Sequence, residues 1–326
     1  MAVTGTGTQA DPFIVHSYTE FISLSEHSRI SGTEAVYIKW FDSPGQTLNC
    51  NDYGSEFTWD EFTTKNPSSE GNNTFYIDLN GATIKNFIIA PGKTMFNPKG
   101  YAGGYTCKLE VYNGSFRNVF MGSATSKFCG DFVKFHDISI SINTSGCTEN
   151  VFYSQGNTVM DNCALYLVSA KLDKPIMYKI SLSDTDIELH VNELNQCLPF
   201  EQCELTGCRI QGKLGGAIKY ASNQNVIFGQ TSGSGASASL RCPMTNCVVD
   251  VDYNDITISN PNYIIVSILR EMNPSELNTT IFCNTHLPTD KGYIYPTLWN
   301  YMTHEQIRNG EYLNSKGFTV VEVVGG

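Results

Sequence analysis

Asp186 and Glu188 are separated by one residue, and on an extended strand such a pair shares a face roughly 6–7 Å apart. Glycoside hydrolysis asks two carboxylates to flank a sugar bond at roughly 5–9.5 Å, so these acids define a catalytic alternative. The spacing alone is weak, because any outward pair two residues apart provides it. Thiol chemistry is a second option. Cys203 and Cys208, and again Cys242 and Cys247, frame a Cys-x4-Cys spacing. Five extended residues span on the order of 16 Å, far too wide for a tetrahedral zinc cage with Zn–S near about 2.3 Å. Small thiols buried in a core are the expectation, with no metal and no cofactor. The chain contains no Gly-x-Ser-x-Gly, no His-Glu-x-x-His and no phosphate loop.

Bulk properties exclude several partners. The 326-residue chain carries a net charge of −11 and lacks a Lys/Arg cluster, so a phosphate-backbone partner is not expected. No apolar run approaches a membrane span; "YIIVSIL" (Tyr263–Leu269) is short and reads as a buried strand. The opening "MAVTGTGTQADPF" has neither a basic nor an apolar leader segment, and the eleven cysteines are an odd number. The expectation is folding in a reducing cytoplasm with free thiols, no signal peptide and no membrane.

The elements that hold these residues are visible in a repeat. Met160-Asp-Asn162-Cys163 returns as Met244-Thr-Asn246-Cys247, and weaker copies centre on Asn113, Asp137, Asp184 and Gly207. Successive centres from 113 to 246 lie 24, 25, 22, 23 and 39 residues apart; the long gap holds the flexible "TSGSGASAS" (Thr231–Ser239). A period near 20–25 residues indicates a solenoid. Each centre is Asn, Asp or Gly, the residues that tolerate a left-handed backbone. Apolar positions also change parity there, from −4 and −2 (Leu109, Val111) to +1, +3 and +5 (Ile138, Ile140, Ile142). A straight strand cannot switch faces. Asn113, Asp137, Asn162, Asp184, Gly207 and Asn246 are therefore structural corners, one per coil of a parallel β-helix. Phe75–Ile88 reads as an earlier coil in a shifted register.

Stacked coils turn equal offsets into rows. Arg117, Tyr166, Glu188, Gln211 and Asp250 share offset +4, while Asp186 and Arg209 share offset +2. These seven residues form the candidate ligand-binding face. Asp186–Arg209 and Lys213–Asp252 are expected as ion pairs between coils. The face is expected to be solvated and non-catalytic, with Asp186 and Glu188 as the catalytic alternative.

The pattern over 74–259 resembles the right-handed parallel β-helix of pectate-lyase-like proteins and phage tailspikes, where asparagines stack at one corner. The resemblance implies an all-β chain: a right-handed single-stranded parallel β-helix of about seven coils, with small mixed α/β caps at both ends. The motifs of the pectin-cleaving members are largely missing. "DTD" occurs at Asp184–Asp186, but there is no Asp-Asp pair, no Gly-His-Gly, and "RIQGK" (Arg209–Lys213) replaces Arg-Ile-Lys. Three capping boxes lie outside the coils: Ser17-Tyr-Thr-Glu20, Thr58-Trp-Asp-Glu61 and Thr303-His-Glu-Gln306. They predict short helices that cover the open ends. The expected division is 1–75 as an N-terminal cap or attachment region, 76–258 as the β-helix, and 259–326 as a C-terminal cap with a helix near 304–315.

Two terminal segments add a second resemblance. "GTGTQADPFIVHSYTEF" (Gly5–Phe21) looks like the opening of phage virion proteins with β-helical bodies. "MTHEQIRNGEYLNSKGFTVVEV" (Met302–Val323) looks like a tail segment of phage structural proteins of gut bacteria. They imply a virion component assembled in host cytoplasm: a spike, fibre or capsid-surface appendage. Its implied partners are other virion proteins, host-surface polysaccharide and further copies of itself, a trimer by analogy with phage spikes. The alternative is a β-helical polysaccharide depolymerase. On the virion reading, removal of residues 1–60 is expected to leave a folded body.

Overall fold

A computed structural model describes residues 3–26, 35–63, 74–98, 107–195, 197, 199–217, 228–229, 244–257, 266–267, 281–283, 300–302, 305–306 and 309–315. The chain is all-β, built from parallel strands whose sheets curl at corners. It divides into two compact units, residues 1–143 with 152–163, and 144–151 with 164–325.

The first unit contains β1 (Phe13–Val15), α1 (Tyr18–Ser23), β2 (Val36–Trp40), β3 (Thr47–Asn49), β4 (Thr58–Trp59), β5 (Phe62–Thr63), β6 (Thr74–Ile89), β7 (Thr94–Asn97), β8 (Lys108–Met121), β9 (Lys127–Cys129), β10 (Val133–Thr144) and β11 (Phe152–Asp161). The long β6 shows how the sheet curls. Its first part pairs with β2 (Val36↔Phe75), its middle with β3 (Leu48↔Ile84) and its end with β4 (Thr58↔Ile88). On its other side β8 follows it in parallel over the whole length, and β10 follows β8. β5, β7 and β9 pair in the same way. One wind of chain therefore lies on the next, side upon side.

Corner residues make the bends. Asn113, Asp137 and Asn162 have φ of 61°, 52° and 48°, and the register sets them on neighbouring strands (Tyr112↔His136, His136↔Asp161). Their side chains link successive winds: Asn113 Nδ2 donates to Asp78 Oδ1 at 3.0 Å, and Asn162 Nδ2 to Asp137 Oδ1 at 2.6 Å. In β6 the bend takes two left-handed residues, Asn80 and Gly81, with a register shift between Asp78 and Ala82.

A second amide ladder runs along another edge of this unit. Asn86 Nδ2 donates to Asn49 Oδ1 (2.8 Å), Asn118 Nδ2 to Asn86 Oδ1 (2.7 Å) and Asn143 Nδ2 to Asn118 Oδ1 (3.2 Å). Asn86 and Asn118 are again left-handed. Sequence offsets centred on the first corner do not reveal this edge. Asn118 and Asn143 lie five and six positions after their corners, and Asn118 is the extra residue of a bulge against Ile140–Ile142.

The interior is aromatic. Phe21 stacks on Phe62 with ring centroids 4.5 Å apart, and Trp40, Trp59, Phe87, Phe96, Phe116, Phe128, Phe135 and Phe152 are buried. Each such ring contributes roughly 1.5–3 kcal/mol. Residues 36–63, expected in a cap, lie within the parallel ladders. The Ser17 box forms: Ser17 Oγ accepts from the backbone N–H of Glu20 (3.3 Å), while the Glu20 carboxylate accepts from the N–H of His16 (2.7 Å). The helix expected at Thr58 does not form. Thr58–Trp59 is a strand whose buried Trp59 fills the core, so register overrides the local capping signal. At the outer edge β1 carries an antiparallel bridge, Thr4↔Ile14, and a turn in which the N–H groups of Thr6 and Thr8 donate to Asp11 O.

The second unit contains β12 (Ala164–Leu172), β13 (Met177–Ser183), β14 (Asp186–Asn195), β15 (Phe200–Glu201), β16 (Glu204–Thr206), β17 (Arg209–Ala217), β18 (Phe228–Gly229), β19 (Met244–Thr245), β20 (Val248–Thr257), β21 (Val266–Ser267), β22 (Ile281–Cys283), β23 (Asn300–Met302) and α2 (Gly310–Ser315). β12, β14, β17 and β20 form one parallel row; β13, β16 and β19 form another. Between the rows Asp184, Gly207 and Asn246 have φ of 45°, 67° and 53°. The N–H of Asp184 donates to Thr206 O and that of Gly207 to Thr245 O, both at 2.9 Å. In α2 the cap is Asn309, whose Oδ1 accepts from the N–H of Tyr312 (3.0 Å). Thr303 and the Thr231–Ser239 insertion lie outside the described residues.

Candidate functional faces

The parity change at each corner sends alternate side chains outward, and the parallel register sets them in rows. In the second unit Tyr166, Glu188, Gln211 and Asp250 occupy one row (Tyr166↔Glu188, Glu188↔Gln211, Gln211↔Asp250), and Asp186 and Arg209 are partners in the next. Arg117 lies in the first unit, paired with Lys85. The expected face therefore comes together in part.

Its electrostatics differ from an open catalytic groove. Asp186 and Asp250, expected on the outside, are each only 3% exposed. Coils stacked about 4.8 Å apart set a long neighbour beside each acid, Arg209 for Asp186 and Gln211 for Asp250, which shields what a lone strand would expose. Burial raises the Asp186 carboxyl to about 6, partly offset by the Arg209 guanidinium. Its Oδ2 makes no hydrogen bond. Glu188 has both oxygens engaged: Oε1 lies 2.7 Å from His190 Nε2, and Oε2 accepts from Gln211 Nε2 at 3.0 Å. Lys213 meets Asp255 at 2.6 Å, and its register partner Asp252 adds a weaker attraction. The i, i+2 pair thus holds one buried acid and one acid committed to its neighbours.

The first unit carries a polar face that the offsets after the corner do not sample. One and three residues before the corner lie Tyr112 and His136, and Glu110 and Lys134. His136 stacks on Tyr112 at 4.7 Å and 8°. Its Nε2 lies 2.9 Å from Glu110 Oε1 and its Nδ1 2.9 Å from Asp137 Oδ2. Tyr37 and Tyr76 stack in the same way, 4.7 Å apart. Hydrogen bonds from His136 and Asn162 hold the Asp137 carboxyl below its usual range. The Tyr112 phenol is pushed up to about 12, first by burial, then by Asp78 and Glu110. The available signal was the Tyr/His/Glu/Lys composition at offsets −1 and −3.

All nine cysteines whose environment is described are buried free thiols. Cys163 and Cys203 are raised to about 12 by burial, and Cys208 is raised by its contact with Cys247. Among the described residues no cluster of His, Cys, Asp or Glu has metal-binding geometry; Cys242 lies outside them. No described helix is long and apolar enough to cross a membrane. No family model, curated protein or solved structure matches the chain.

Proposed function

We propose that the chain is a structural component of a bacteriophage virion, a spike, fibre or capsid-surface appendage that holds host-surface polysaccharide without cleaving it. In this reading the coils wind right-handed, about seven in all, and copies assemble as a trimer. One observation carries the non-catalytic part. The outward acids have their oxygens held by nearby side chains: Glu188 by His190 of its own strand and Gln211 of the next, Glu110 by His136 of the next strand, and Asp137 by the adjacent His136. Groups committed in this way hold coils together and leave little free to attack a glycosidic bond. The virion part is supported by the likenesses at Gly5–Phe21 and Met302–Val323.

The test has two arms. Peptides of this chain are expected in purified particles at a fixed ratio to the major structural proteins, and their absence would end the virion assignment. Purified protein incubated with host polysaccharide is expected to release no reducing ends and no unsaturated sugars. The depolymerase reading keeps one favourable observation, the raised Asp186 carboxyl two residues from Glu188, since acid–base pairs separate their protonation states in this manner. Polysaccharide cleavage that disappears in Glu188→Gln would establish that reading instead.

A further inference from the structure

We infer that a cleft beside the second amide ladder is a binding site for uncharged oligosaccharide. It measures about 350 Å³ and lies within the first unit, bounded by the 3-10 turn at Cys50–Tyr53 and by β6 and β8. Pockets for small ligands run roughly 300–1,000 Å³, so the space admits one or two sugar rings.

Three features select this ligand. The first is ring exposure. Among the described residues the exposed large apolar side chains are Tyr53 (46%) and Phe120 (42%). Phe120 lines the cleft, as does Phe57, whose ring lies 5.1 Å from that of Tyr53. Exposed Phe120 and half-buried Phe57 in the cleft wall, with Tyr53 beside Phe57, offer flat apolar surface to the C–H face of a sugar.

The second feature is the ladder. Asn86 and Asn118 line the cleft, and each donates one N–H and accepts one bond along the edge. An amide has two N–H groups and two lone pairs, so each retains one donor and one acceptor. The ladder repeats them at about 4.8 Å, the coil spacing. Paired donor and acceptor sites of this kind suit vicinal hydroxyls. Asn51 and Ser55 add further polar groups to the lining.

The third feature is charge. None of the described residues that line the cleft is ionisable, while the chain carries −11 overall. A polyanionic glycan would approach a repulsive molecule and find no cation among the described lining residues. A neutral one loses nothing. The inference extends the glycan-holding part of the proposed function to a new place, and it stands whether or not the chain belongs to a particle.

Calorimetric titration of the full chain with uncharged gluco-, manno-, galacto- and N-acetylglucosamine hexamers, beside a galacturonate hexamer, tests it. At least one uncharged hexamer is expected to bind, with the galacturonate at least tenfold weaker. Phe120→Ala and Tyr53→Ala are expected to weaken binding at least tenfold with matched melting curves, and Phe120→Trp to retain it. Failure of all uncharged hexamers, preference for the galacturonate, or unchanged affinity in Phe120→Ala would overturn the site. Particle composition is not a readout, so this site and the virion reading fail separately.

Discussion

Asn113 shows what a single corner residue has to satisfy. Its φ of 61° is a conformation that strains most L side chains, and its amide also reaches Asp78. Asn113→Gly keeps the backbone and loses one hydrogen bond, while Asn113→Ala loses both advantages. Urea denaturation is expected to show glycine costing about 1 kcal/mol and alanine about 1–2 kcal/mol more; equal costs would remove the backbone argument. Asp186 makes the opposite kind of demand. Burial lifts its carboxyl from 3.8 to about 6, so folding favours the protonated form. Its contribution to stability is complete below about 3.8 and is lost as pH rises through about 6, a change of at most about 3 kcal/mol. Asp186→Asn keeps the neutral shape. Its Tm is expected to exceed that of the parent at pH 7.5 and to match it at pH 4; identical profiles would show that this carboxyl is not held in a low-dielectric setting.

At the scale of elements, β14 and β17 approach so closely at Gly212 that a side chain has no place. Gly212 has φ of 124°, and a Cβ there would overlap the carbonyl oxygen of Leu189. Gly212→Ala is expected to destabilise by more than about 3 kcal/mol, read as a lowered thermal midpoint and early exchange of amides in these strands. The corner period and the switch in apolar parity were legible because they are properties of the chain's own spacing. Ile138, Ile140 and Ile142 are all buried, as are Cys163, Leu165 and Leu167. Two kinds of information were not local. Thr58-Trp-Asp-Glu61 carries a helix-start signature, yet the ladder with Ile88 makes it a strand. The Asn49–Asn86–Asn118–Asn143 edge has uneven gaps of 37, 32 and 25 residues, because each wind carries loops of its own length. The row residues of the second unit lie on neighbouring strands, but the burial of Asp186 and Asp250 depends on what lies beside them. A sequence offset does not contain that.

Considering the molecule as a whole, the described strands before residue 60 supply part of the core. Val36 to Trp59 pairs with β6 through three separate ladders, and Phe21, Trp40 and Trp59 are each about 1% exposed or less. Deleting residues 1–60 is therefore expected to abolish cooperative melting of the first unit and to give aggregates in size-exclusion chromatography. A soluble truncated protein with an unchanged melt would show that these strands only decorate the fold. Thiol reagents report on the same cores. The nine cysteines described as buried are expected to react slowly in the native chain, and rapid labelling of Cys129 or Cys203 would mean that the coils open. The outer edge carries one more consequence. Thr4 crosses β1 against the direction of every neighbouring strand, and the Thr6–Asp11 turn folds the chain back over it. A bare parallel edge is a template on which the next molecule can dock and continue the winding. This antiparallel stitch is expected to hinder such docking; chains cut before Pro12 are expected to elongate in light scattering, and an unchanged particle size would show that the stitch has no such effect.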